Sequence, residues 1–125
     1  MRALLISTIC ALTLQVSPAL AGKLLQAAPE AMAEYAGHAG YMLSTIPNCG
    51  GDAEEETYFI GLARDNLVQI GADEDDLGYL DFEMAKAADT AAPLKKHCVE
   101  DFAVPLASEL FRLRAEIEKK ALKAE

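Results

Sequence analysis

The residues in this chain whose types could do chemistry are its cysteines, a histidine and methionine pair, and several runs of carboxylates. There are three cysteines and two histidines in 125 residues. Cys49 and Cys98 stand well apart in sequence, whereas Cys10 lies in an apolar stretch near the start. A thiolate next to a base could act as a nucleophile, and His97 directly precedes Cys98. Adjacent helical residues do not face each other, however, and a cysteine held in a disulfide cannot attack. His38 and Met42 are one helical turn apart, a spacing that could ligate haem iron, but no Cys-x-x-Cys-His attachment motif accompanies them. They read as a partly exposed histidine beside a core methionine, and no cofactor is expected.

The carboxylates are concentrated in the middle of the chain. From Asp52 to Glu83 there are eleven acids and one base, Arg64, whereas Lys86 to Glu125 holds eight bases and seven acids. Set against a calcium loop, Asp73 and Asp75 match the first and third positions and Gly78 the sixth. Leu77 at the fifth and Met84 at the twelfth remove two ligands, so no metal site is expected. The acids instead suit helix starts. Asp52 with Glu55 resembles a capping box, Asp73 is a candidate N-cap, and Glu54–Glu56 and Glu74–Asp76 oppose the positive end of a helix dipole. Mutual repulsion is expected to raise several of these pKa values and to strengthen the fold as pH falls from about 6 to 4. With no phosphate loop, zinc spacing or nucleophile elbow, the sequence reads as non-enzymatic, with no catalytic residue assigned.

The elements that position these residues come after a leader. Arg2, the apolar run Ala3 to Leu14, and small residues at Ala19 and Ala21 read as a secretory signal over 1–21, cleaved before Gly22. Residues 22–125 are expected to form a single helical domain, periplasmic or secreted. Loss of Arg2 leaves 10 bases against 20 acids, moving the formal charge from -9 to -10. That balance argues against nucleic acid, and no later segment is apolar for long enough to span a membrane. Export favours pairing of Cys49 with Cys98, a clamp worth about 4 kcal/mol for a loop of about 50 residues.

Apolar periodicity predicts an all-α fold: a small four-helix bundle, or three helices plus a kinked fourth. The first helix runs from Pro29 and stops at Pro47, with Met32, Tyr35, Ala36, Ala39, Met42, Leu43 and Ile46 inward. Gly37 and Gly40 mark close approach of a neighbouring backbone. The second helix buries Phe59, Leu62, Ala63, Leu67 and Ile70, ends at Gly71, and carries Asn66 in the middle of its apolar face. The third turns Leu77, Leu80, Met84, Ala88 and Ala91 inward, leaving Tyr79 and Phe82 to be covered by the first helix or met by a partner. Asn66, Tyr79 and Phe82 are therefore the candidate ligand or partner contacts. Pro93 opens a final stretch in which Val99, Phe102, Leu106, Leu110, Leu113 and Ile117 hold one face through Pro105.

Three functions fit. The first is an interaction or accessory domain bound to another exported protein. In the second, the leader, the short helical chain, two cysteines about fifty residues apart and Cys98-Val99-Glu100-Asp101-Phe102 resemble the small periplasmic acid-activated chaperones. Their Cys-Glu-Asp-Phe run here carries one inserted residue and lies at the second cysteine. This resemblance implies an acid-stress holdase. The third is a small-ligand or cation binder using Asn66 or the acidic turns.

Overall fold

The computed structural model describes residues 22–125, apart from the side chain of Phe102. The expected leader, Cys10 and the cleavage point at Ala21 lie outside the described residues. Within them the regular structure is helical: α1 (Lys23–Ala27), α2 (Pro29–Asn48), α3 (Ala53–Val68), α4 (Glu74–Thr90) and α5 (Glu100–Ala124), with a 3-10 turn at Lys95–Cys98. The all-α bundle with one disulfide is thus observed. α1, at five residues, is too short to show a period in sequence.

α2 is the hub. Its inward stripe buries Met32, Tyr35, Ala36, Ala39 and Leu43, and it packs chiefly on α4, then on α5, α3 and α1. Leu67 of α3, Leu80 and Met84 of α4, Leu110, Leu113 and Ile117 of α5, and Leu24 of α1 complete one core. The α2–α4 contact is close because Gly40 lets it be. A Cβ there would sit 2.5 Å from Ala87 Cβ and 2.6 Å from the Met84 carbonyl oxygen. Gly37, by contrast, has nothing within 4 Å, so only one of the two glycines marks a close approach. Gly40→Ala should therefore destabilise by about 1–3 kcal/mol despite its better helix propensity. Gly37→Ala should stabilise by up to about 1 kcal/mol. Urea midpoints of the two variants check this opposition of sign.

Two turns end their helices by the same device. α2 continues through Pro47 to Asn48, and Gly50 at φ 92 lets the Gly51 N–H reach Ile46 O at 2.7 Å. After α3, Gly71 at φ 100 lets the Ala72 N–H reach Leu67 O at 3.0 Å. Such left-handed positions favour glycine, which has no Cβ to clash.

Several expectations need correction. Leu62 is 39% exposed, because α3 is covered only along the narrow seam of Ala63, Asn66 and Leu67. Val99 is extended, caps α5, and is 52% exposed rather than part of the inward face. Pro93 does not open a helix continuous with α5. Residues 91–94 are irregular, and α5 begins at Glu100 and runs unbroken through Pro105. The surface pairs Arg112–Glu116 (3.4 Å) and Lys120–Glu116 (3.6 Å) form at the expected spacing.

Cys49 and Cys98 are bonded, with Cα atoms 5.4 Å apart, joining the end of α2 to the turn before α5. Tyr41 reinforces this tie. Its hydroxyl accepts the Leu94 N–H at 3.0 Å and contacts His97 Nδ1 at 2.6 Å. His38 Nε2 donates to the Leu106 carbonyl at 2.6 Å, pinning α2 to α5. Both histidines therefore act as struts between α2 and the chain beyond α4. Among the described residues, no group of three or more His, Cys, Asp or Glu side chains is placed to hold a metal, and no helix is long and apolar enough to cross a membrane.

Candidate functional site

The polar residue predicted on the α3 face, Asn66, is buried at 6% exposure. It lies with Tyr35 of α2 and Arg114 of α5. The Tyr35 hydroxyl donates to Ala63 O at 2.8 Å, and Arg114 Nη2 donates to Gln69 Oε1 at 3.0 Å. Burial pushes the Tyr35 pKa up to about 12, with Asn66 and Arg114 pulling it the other way. The Asn66 Nδ2 and Arg114 Nε donors are buried without a protein acceptor. This seam lies inside the packing, and its members line neither of the surface hollows between α3 and α4. Its chemistry suits fixing the register of three helices.

The acidic start of α4 does more than cap its own helix. Asp73 accepts the Asp76 N–H at 2.9 Å and Asp76 accepts the Asp73 N–H at 3.0 Å, a full capping box. The same two carboxylates also hold α1, fifty residues earlier in the chain. Asp73 accepts the Lys23 N–H at 2.9 Å, and Asp76, fully buried, accepts those of Leu24 at 3.0 Å and Leu25 at 2.9 Å. Gly22, buried at φ 110, presses so closely that a Cβ would sit 2.6 Å from Asp76 Oδ1. These backbone donors, first from Asp76 and then from Lys23, hold the Asp73 pKa below its ordinary value. At Asp73 the expected upward shift is thus reversed, because the hydrogen bonds it accepts outweigh the effect of desolvation. Glu109 is likewise lowered, by its hydrogen bond from Arg112. The sequence signalled the helix start, but not that one carboxylate would serve two helices.

The two aromatic candidates separate. Tyr79 is partly buried against the core, and burial, with Glu83 nearby, raises its pKa. Phe82 is 66% exposed, with Lys86 Nζ 5.6 Å from its ring centroid. Three positions apart, they are neighbours on the helix surface, roughly 60° around it at 100° per residue. Tyr79 lies at the margin of the side that meets the bundle, and Phe82 is turned further from it toward solvent.

Beside Phe82, two adjoining hollows run along α2 between α3 and α4. One, of about 390 Å³, is lined by Leu43, Ile60, Arg64, Asp81, Met84 and Ala85. The other, of about 300 Å³, shares Leu43 and Ala85 and extends past Ser44, Ala88 and Ala91 to Pro47 and Asn48. The groove exists because α3 and α4 barely touch and the α4 wall carries alanines. From Arg64 to Glu56 it follows roughly 12 Å of α3 at 1.5 Å per residue. Its floor is apolar, and its rim is acidic, with Glu56, Asp81 and Asp89 against Arg64, which pairs with Asp81. An extended or helical segment with apolar side chains and positive flanks suits such a surface. No family model, no curated protein and no solved structure matches the chain.

Proposed function

We propose that this is an exported, non-catalytic accessory domain that docks a cationic, apolar segment of another exported protein between α3 and α4. The reading is carried by the groove, which combines an apolar floor of Leu43, Met84 and Ala85 with carboxylates at its rim. Phe82, on the outer side of α4, extends the apolar surface a partner would cover. Export comes from the leader, and the chain's acidity selects a positive partner. The test is fluorescence anisotropy with labelled peptides alternating leucine and lysine. Binding should weaken about tenfold in Ala85→Trp, which fills the groove, and similarly in the rim reversal Glu56→Lys with Asp89→Lys. Equal binding by all three proteins would reject the groove.

The holdase is the second reading, favoured by the carboxylates that hold α1. Asp73 has a depressed folded pKa, so its contribution is present above the unfolded value and is lost as pH falls through the folded one. The window therefore lies below the ordinary value of 3.8. In that range Asp73 should release the Lys23 N–H, loosening the start of α1 over Leu24 and the α5 residues beneath it. Hydrogen exchange should show the Leu24 and Leu25 amides losing protection before those of the α2 interior. Suppression of a client's aggregation in that same pH range supports the holdase. Intact protection down to pH about 2 would remove its structural basis.

A further inference from the structure

α5 has two apolar faces, of which the bundle uses one. Leu110, Leu113, Ile117 and Ala121 point into the core. Val104, Phe111, Ala115 and Leu122 lie on roughly the opposite side at 100° per residue, and all are exposed, Phe111 at 49% and Leu122 at 64%. With Ser108 and Glu118 they repeat at steps of four and three, the spacing of a helix-pairing seam.

We infer that this seam pairs antiparallel with α5 of a second copy of the chain, a contact separate from the groove and independent of it. The seam is symmetric about Leu113. Reversed, it places Val104 on Leu122, Phe111 on Ala115 and Ser108 on Glu118, so a large side chain meets a small one at the centre. A parallel pair would instead stack Phe111 on Phe111 and Glu118 on Glu118. Charge selects the same arrangement. α5 balances Glu100, Asp101, Glu109, Glu116 and Glu118 with Arg112, Arg114, Lys119, Lys120 and Lys123, while the remaining described residues carry the net negative charge. It is thus a surface on which two copies of an acidic protein can meet without strong repulsion. Its acids gather at the N-terminal end and its lysines at the C-terminal end, so antiparallel pairing brings Asp101 toward Lys123 of the second copy. The seam spans roughly 27 Å of helix, and one helix face buries less than the roughly 800 Å² per partner of a standard interface. The dimer is accordingly reversible and forms at high concentration.

Sedimentation equilibrium of the oxidised protein, up to a few hundred micromolar, should show the mass rising from one chain toward two. Phe111→Asp and, separately, Leu122→Asp should each weaken association about tenfold or more, with helical dichroism unchanged because both sites are exposed. Ser108→Lys should strengthen it severalfold, since only the antiparallel register sets the new lysine against Glu118. A single-chain mass throughout, association insensitive to both aspartates, or weakening by Ser108→Lys would each overturn the inference.

Discussion

Asp76→Ala is expected to lower the unfolding free energy by about 4 kcal/mol, a large share of the stability of a small domain. The carboxylate accepts three backbone N–H groups, from Leu24, Leu25 and Asp73, and is fully buried. Alanine would orphan all three donors at once, at about 1–3 kcal/mol for each that stays buried. The start of α1 would then keep only Asp73, which accepts the Lys23 N–H, and the Leu24 and Leu25 N–H groups would lose their acceptor. Asp76→Asn should fall between, because its remaining oxygen, placed where Oδ2 lies, can still accept from Leu24 and Asp73 while its amide opposes the Leu25 N–H. Chemical denaturation should show the order wild type, Asn, Ala. An alanine variant within about 1 kcal/mol of wild type would mean that α1 is held by its apolar contacts and Asp73, without Asp76.

Removing the disulfide is the second large effect. In the chain-entropy account a bond between residues 49 apart in sequence contributes about 4 kcal/mol. For a domain of this size that corresponds to a fall in thermal midpoint of roughly 20 °C. The native connector would not collapse, because Tyr41 still holds Leu94 and His97 and His38 still holds Leu106. The Cys49→Ser, Cys98→Ser double variant should therefore keep wild-type helical dichroism at low temperature while melting far earlier. A midpoint within a few degrees of the oxidised protein would contradict this.

The contrast between these two effects shows what the sequence made legible. The disulfide followed from the two cysteines that remain once the expected leader is set aside, and the α2 and α5 stripes from a clear period of apolar residues. Asp76 was visible as a helix-start acid, but its hold on α1 joins residues over fifty positions apart and leaves no local pattern. Leu62 and Val99 were misplaced for a related reason. Periodicity gives a helix's apolar side but not how much of that side its neighbours cover. Gly37 and Gly40 are indistinguishable in sequence, and only the packed α4 backbone separates them. The groove was hidden in the same way. Ala88 and Ala91 read as part of a thin inward face, yet both also line the groove wall, and Ala85, outside that stripe, lines both hollows.

The most direct test of the docking role is a chemical-shift map of the isotopically labelled, oxidised protein titrated with a leucine and lysine peptide and, separately, with its leucine and glutamate counterpart. Docking in the groove should give saturable shifts confined to Leu43, Ile60, Met84, Ala85, Ala88 and their neighbours, produced by the cationic peptide only. Shifts centred elsewhere, or equal responses to the two peptides, would contradict it.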